Sequence, residues 1–238
     1  GYGHVGIRYH RDTMKLSIDH LVIAAADLAS GTQYVADLLG IAPQGGGAHP
    51  RMGTHNRVLG MADGIYLEVI AIDPDAPPPE RARWFGLDQG DVRARLEQGP
   101  FLAHWAARVE APMDLTRMQA EHPERIAPVI PMTRGDLRWR LTVPDDGSLP
   151  VWREAGHAAG DGLLPTLIQW DVDASPGISL PRQPLKLVRL TGSHPQAGLL
   201  RQGMTWMGAD TLIDLEQASG TPRLWAQIET PQGLKTLA

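Results

Sequence analysis

The sequence predicts an α+β protein made of paired βαβββ units with curved mixed or antiparallel sheets, followed by a partial third unit. The strand and helix patterns over residues 17–72 recur in the same order over residues 101–172, and such an internal repeat decides the whole fold. In each unit a polar residue interrupts an apolar strand at a matching place, a histidine early and a carboxylate or amide late. The expected divisions are an N-terminal extension or expression remnant (1–13), a first βαβββ unit (14–80), a second (81–175) and a C-terminal βαββ-like extension (176–238).

The first unit begins with SIDHLVIAA (17–25), whose side chains alternate as in a strand. Asp27 is a suitable N-cap for the helix LASGTQYVADLL that follows, and Gly40 ends this helix because glycine tolerates a left-handed backbone. The rest of the unit is a loop over 43–53, with room for one short extra strand, and two strands over 54–62 and 64–72 joined by a turn at Asp63–Gly64.

The irregular stretch DPDAPPPE (73–80) separates the units, because its prolines remove backbone donors. The second unit repeats the first after a short helix over 89–98. Its predicted elements are a strand over 101–109, a helix over 113–121 with Asp114 near its N-terminus, a hairpin of strands 125–132 and 136–143 turning across 133–135, a Gly/Pro-rich excursion over 144–162 and a strand over 163–172. For the tail we predict a strand (185–192), a helix (194–204) and two strands (211–217, 223–230), attached to the main sheets, and we expect a structural role. The alternative is that the tail adds strands to a sheet edge or contributes to a dimer interface.

Composition narrows the classes of function. The formal charge of −5 and the absence of a Lys/Arg run argue against nucleic-acid binding. The chain has no cysteine, which excludes disulfides, thiolate metal sites and a cysteine nucleophile. No apolar run approaches the ~18–20 residues of a membrane helix, and the first residues lack the apolar region of a signal peptide. We therefore expect a cytoplasmic protein that contacts neither nucleic acid nor membrane.

Four polar residues in mid-strand form the candidate site: His20, Glu68, His104 and Gln169. Glu68 is the sharpest of these, because a carboxylate inside YLEVIAI is costly to bury unless it is paired or bound to a metal. The alternative is purely structural: each histidine bonds a neighbour, and Gln169 is satisfied by backbone groups alone. The repeat favours convergence of all four side chains in one cleft.

The opening stretch IDHLVIAAADLASGTQYVADLLGI resembles the signature of the vicinal oxygen chelate (glyoxalase/bleomycin resistance/dioxygenase) superfamily, with "DH" in the first strand, "DL" at the helix start and "LG" at its end. RWFGLDQG, VWREAG and PTLIQW are similar to the bacterial glyoxalase-like domain group within it. The resemblance covers roughly residues 17–172. In metal-binding members the ligands come from the first and last strands of each unit, which implies His20, Glu68, His104 and Gln169 here. Gln169 departs from the usual carboxylate, and an amide is a weaker ligand for hard cations.

The resemblance implies a small-molecule ligand or substrate, a homodimer and a divalent metal ion (Zn, Ni, Mn, Fe or Mg) that some members lack. One reading is a metal-dependent lyase or isomerase that chelates two oxygens of a small substrate, with Glu68 doubling as general base; a dioxygenase is less favoured. The other is a metal-free protein that binds or sequesters a small molecule in the same cleft. On the metal reading, Gln169→Glu tightens metal binding.

Overall fold

The computed structural model describes residues 15–238, so the expected extension at 1–13 lies outside the described residues. Within this part of the chain, no helix is long and apolar enough to cross a membrane. The α-helices are α1 (Leu28–Leu39), α2 (Gly90–Glu97), α3 (Leu115–Glu121), α4 (Pro176–Ser179) and α5 (Ala197–Met207). The strands are β1 (Ser17–Ala24), β2 (Ala48–His49), β3 (Thr54–Gly60), β4 (Tyr66–Ile72), β5 (Phe101–Arg108), β6 (Val129–Arg134), β7 (Leu137–Thr142), β8 (Trp152–Glu154), β9 (His157–Ala159), β10 (Thr166–Trp170), β11 (Lys186–His194), β12 (Asp214–Gln217), β13 (Arg223–Thr230) and β14 (Gly233–Leu237).

The two predicted units form one eight-stranded sheet with the order β2-β3-β4-β1-β5-β10-β7-β6. In each unit the first strand pairs in parallel with the last, β1 with β4 and β5 with β10. The units meet where β1 and β5 pair antiparallel, so a pseudo-two-fold axis relates them. The predicted fold class of paired βαβββ units is confirmed.

The helix ends follow the predicted capping chemistry. The Asp27 carboxylate accepts a hydrogen bond from Ser30 N at 2.7 Å, and Gly40 closes α1 with a left-handed backbone (φ 79°). In the second unit, the Asp114 carboxylate accepts from Arg117 N at 3.1 Å at the start of α3. Both helices pack on the outer face of the sheet, where Val35, Leu39 and Leu115 join the larger of two apolar clusters.

The structure differs from the predicted elements in several places. The strand expected over 125–132 begins only at Val129, because the chain first continues from α3 in turns that bond Arg125 N and Ile126 N to His122 O. The excursion over 144–162 contains the small hairpin β8–β9, and the C-terminus adds β14; neither was predicted. The predicted short strand in the 43–53 loop is present as β2.

The C-terminal segment forms its own four-stranded sheet, ordered β12-β11-β13-β14. Its first strand pairs in parallel with β12 and not with the last strand, so its strand order differs from that of the two units. The apolar residues of this sheet, such as Leu190 and Ile228, share one cluster with Leu21 and Trp105 of the central strands. The segment therefore covers the outer face of the main sheet and does not extend its edge.

The main sheet curls until its two ends touch. Arg51, in the loop before β3, donates from Nη1 to Pro131 O of β6 at 3.1 Å. Arg134 at the end of β6 donates from Nη1 to Asn56 Oδ1 of β3 at 3.3 Å. We call these two hydrogen bonds the clasp. They join strands that stand at opposite ends of the sheet and enclose its concave face.

Candidate functional site

His20 and Glu68 come together on the concave face of the sheet. In the parallel ladder of β1 and β4, Glu68 is the register partner of Val22, two residues beyond His20, so both side chains point the same way. The distance from His20 Nε2 to Glu68 Oε1 is 3.7 Å, and both side chains are buried. The imidazole also stacks on the Tyr66 ring, with centroids 4.6 Å apart. This part of the predicted convergence is observed.

Asp19 orients the His20 ring. A register shift between Ile18 and His20 in the β1–β5 ladder, a β-bulge, lets two consecutive residues meet. His20 Nδ1 lies 2.6 Å from Asp19 Oδ2; because a carboxylate only accepts, Nδ1 carries the proton and Nε2 is left facing Glu68. Asp19 is held in turn by Arg108 Nε at 3.1 Å and by the Trp170 indole N–H at 3.1 Å.

Opposing effects act on the protonation of His20. Burial alone lowers its pKa, but the hydrogen bond and charge of Asp19, with the charge of Glu68, more than offset burial and raise the pKa above its ordinary value. His20 therefore keeps its second proton to a higher pH than a free histidine does.

Asn56 fixes the Glu68 carboxylate. Its Nδ2 donates to Glu68 Oε2 at 2.7 Å, which leaves Oε1 toward His20. The same amide nitrogen lies 3.3 Å from His49 Nε2, and His49 Nδ1 lies 3.1 Å from Thr54 Oγ1. Burial lowers the pKa of His49 to about 4, so this ring is neutral and accepts at Nε2. Glu68 is thus the last member of a row of polar contacts that runs from Thr54 through His49 and Asn56.

His20 and Glu68 line a cavity of about 30 Å³, which has room for about two water molecules. Aromatic side chains form much of its wall, and two of them, Trp84 and Phe85, come from the segment between the units. Phe85 adopts a left-handed backbone (φ 57°), which is unusual for a bulky residue and is held only by surrounding packing. The chain itself therefore fills most of the concave face.

The second unit carries a neutral counterpart of this pair. The β1–β5 register pairs His20 with Ala106 and Val22 with His104, so the pseudo-two-fold relates His20 to His104. Glu68 then corresponds to Thr166, which pairs with Ala106 as Glu68 pairs with Val22. His104 Nδ1 donates to Gly162 O at 2.8 Å, and Nε2 accepts from Thr166 N at 3.1 Å and from the Thr166 hydroxyl at 2.9 Å. Burial lowers the pKa of His104 to about 4.

Gln169 does not join His20 and Glu68, and its predicted convergence is wrong. Its Oε1 accepts from Leu115 N at 2.7 Å and its Nε2 donates to Met113 O at 2.9 Å, both at the start of α3 on the outer face. The reason is parity: Gln169 lies three positions beyond Thr166, and an odd step along a strand reverses the face. Arg140 Nη2 also donates to Gln169 Oε1 at 3.1 Å.

The residues present do not fit a four-donor metal centre. His20 and Glu68 offer two donors to the cavity, while both ring nitrogens of His104 are already bonded and Gln169 faces outward. Over residues 15–238, no group of three or more His, Cys, Asp or Glu side chains is arranged to hold a metal ion. The metal role of the four residues stays a prediction from the resemblance.

Three important residues escaped the sequence prediction: Asp19, Asn56 and Arg134. Asp19 stands beside His20 in the "DH" pair, yet strict strand alternation places it on the other face, and the bulge that reverses this has no sequence signal. Asn56 and Val58 lie two positions apart on β3 and face the cleft together. The alternation of β3 was therefore sufficient to predict that Asn56 points into the site. Arg134 was assigned to a turn that the structure moves to Gly135–Asp136.

The paired βαβββ units, joined through their first strands around a concave face, define the vicinal oxygen chelate class of fold. The chain belongs to the glyoxalase-like domain family, whose profile matches residues 18–208. The comparison with curated protein sequences gives no match.

Solved structures are similar to this chain at low sequence identity, and the first of the three that follow shows the same fold. A hypothetical protein from Staphylococcus aureus matches at 13% identity with a TM-score of 0.54, covering 93% of this chain and 85% of that chain. Methylmalonyl-CoA epimerase from Mycobacterium tuberculosis matches at 17% identity and a TM-score of 0.39, covering 65% of this chain and 86% of that chain. The Streptomyces coelicolor epimerase, in complex with 2-nitronate-propionyl-CoA, matches at 18% identity and 0.41, covering 68% and 100%.

Proposed function

We propose that this protein is a small-molecule isomerase or lyase that moves a proton with its own acid–base pair, Glu68 and His20. One observation carries the proposal: Asp19 holds His20 Nδ1 at 2.6 Å, so that Nε2 faces the Glu68 carboxylate at 3.7 Å in the wall of one cavity. A base with an acid beside it, each held by a further group, is what proton transfer at carbon requires.

In the proposed reaction, Glu68 Oε1 takes a proton from a carbon next to a carbonyl group. The electron pair of the C–H bond becomes the new C=C bond, the π pair of the carbonyl group moves onto its oxygen, and His20 Nε2 donates a proton to that oxygen to give an enol. Return of a proton from Glu68 to the same carbon, after Glu68 has exchanged its proton with solvent, regenerates the substrate with an exchanged hydrogen. Where that carbon carries a hydroxyl group, proton return to the former carbonyl carbon, with recovery of the His20 proton from the hydroxyl oxygen, completes an isomerisation. Asn56 and Asp19 take no proton; they position Glu68 and His20.

The proposal is tested by hydrogen–deuterium exchange in D₂O, followed by NMR for a panel of small carbonyl compounds that includes pyruvate and pyruvamide. The native protein should accelerate exchange, and Glu68→Gln, which keeps the shape and the Asn56 contact, should lower the rate by about 10²–10⁴-fold. His157→Gln is the control, because His157 is exposed on β9. Exchange that is absent from the whole panel, or unchanged in Glu68→Gln, would refute the proposal.

A metal-free binding function is the second candidate, and the aromatic wall of the cavity favours it. Trp84, Trp139 and Trp170 offer large apolar surfaces to a ligand. Binding without exchange of any C–H group would support sequestration over catalysis. The homodimer and the cytoplasmic location stay predictions, and sedimentation velocity tests the first.

A further inference from the structure

Arg134 is a cation placed at the site cavity without an acidic partner. Its side chain lines the cavity together with His20 and Glu68. Within residues 15–238, no carboxylate lies at ion-pair distance from the Arg134 guanidinium. Its one observed hydrogen bond, from Nη1 to Asn56 Oδ1 at 3.3 Å, uses one of five guanidinium N–H donors.

The other charges around the cavity are matched. Asp19 is paired with Arg108 at 3.1 Å, and Glu68 faces the His20 ring at 3.7 Å. The guanidinium of Arg134 is therefore the charged group at the cavity that no oppositely charged side chain of residues 15–238 contacts. An anionic group of a ligand would balance it.

The backbone positions this arginine. A Cβ atom on Gly47 would lie 3.0 Å from Arg134 Cδ and 3.5 Å from its Nε, so the absence of a side chain at Gly47 makes room for the arginine stem. The Asn56 amide holds the guanidinium through Oδ1 and Glu68 Oε2 through Nδ2, the latter at 2.7 Å. One side chain thus sets the spacing between a cationic anchor and the base.

We propose that Arg134 anchors the carboxylate of the substrate, so that the substrate is a small carboxylic acid with a carbonyl group beside its acidic C–H. This inference rests on the proposed function for the identity of the base. A planar guanidinium matches a carboxylate through two parallel hydrogen bonds. The cavity of about 30 Å³ accommodates a group the size of one carboxylate, so binding of the whole substrate requires Trp84 or Phe85 of the cavity wall to move.

The test measures binding of pyruvate, neutral pyruvamide and inorganic phosphate by tryptophan fluorescence, because three tryptophans line the cavity. Pyruvate should bind the native protein, and Arg134→Gln should weaken it by about 10- to 100-fold. Arg134→Lys, which restores the charge, should recover part of the affinity and guards against a folding defect. Arg57→Gln is the matched control, because Arg57 is exposed on the next position of β3 after Asn56.

Equal affinity for pyruvate and pyruvamide, an unchanged pyruvate affinity in Arg134→Gln, or phosphate binding tighter than pyruvate would each overturn the assignment of a carboxylate anchor. The hydrogen–deuterium exchange assay distinguishes failure of the carboxylate anchor from failure of the proposed function. Exchange that depends on Glu68 but is equal for pyruvate and pyruvamide removes the anchor and keeps the function. Pyruvate binding that depends on Arg134 without any exchange keeps the anchor and removes the function.

Discussion

Replacing His104 with glutamine should make the protein more tolerant of acid. The ring is fully buried and bonded as a neutral group, and burial lowers its pKa to about 4 from 6.5. The unfolded chain therefore takes up a proton below pH 6.5 that the folded chain refuses, so stability falls as the pH falls. Between pH 7.5 and 5.0 this one site should cost about 2 kcal/mol of the free energy of unfolding.

Urea unfolding at pH 7.5, 6.0 and 5.0 measures the effect. His104→Gln lowers the absolute stability, but its loss between pH 7.5 and 5.0 should be smaller than that of the native protein by about 2 kcal/mol. His49, with its pKa also near 4, contributes with the same sign in both proteins. His20 contributes with the opposite sign, since its raised pKa gives stability that is lost as the pH rises. His157→Gln, at an exposed position, should keep the native slope; an equal slope in His104→Gln would show the assignment to be wrong.

Three further changes test the geometry. Gln169→Glu should destabilise the fold by about 1–3 kcal/mol, because a carboxylate oxygen would face Met113 O in place of the amide donor. Gln202→Glu is the control, because Gln202 is exposed. A gain in metal affinity in Gln169→Glu would instead restore the prediction that Gln169 is a metal ligand. Gly31→Ala should cost about 1–3 kcal/mol in thermal unfolding, since its Cβ would lie 2.4 Å from Val69 Cγ1, whereas Gly198→Ala, with open space around it, should be neutral. Asp19→Asn should lower the pKa of His20 in an NMR titration, because it removes the charge and hydrogen bond that offset burial; an unmoved titration would contradict that cause.

Strand periodicity and helix caps were sufficient to predict the two units and the first half of the site. His20 and Glu68 could be found because both follow the alternation of a buried strand. Gln169 was misplaced because the end of β10 has no turn signal that fixes its register, and a shift of three positions exchanges the faces. The bulge that brings Asp19 to His20 and the tertiary contact that brings Arg134 to Asn56 depend on strands far apart in the chain, so local patterns carry no trace of them.

The clasp has a consequence for the order of folding. Its two hydrogen bonds join residues 80 and 78 positions apart, Arg51 with Pro131 and Asn56 with Arg134. Closing so long a loop is entropically costly, and the central β1–β5 pair must form before the two sheet ends can meet. We therefore expect the clasp to form after the main barrier, so that its loss speeds unfolding and leaves the refolding rate nearly unchanged. The unfolding rate of the protein, more than its folding rate, then depends on the side chains of Arg51 and Arg134.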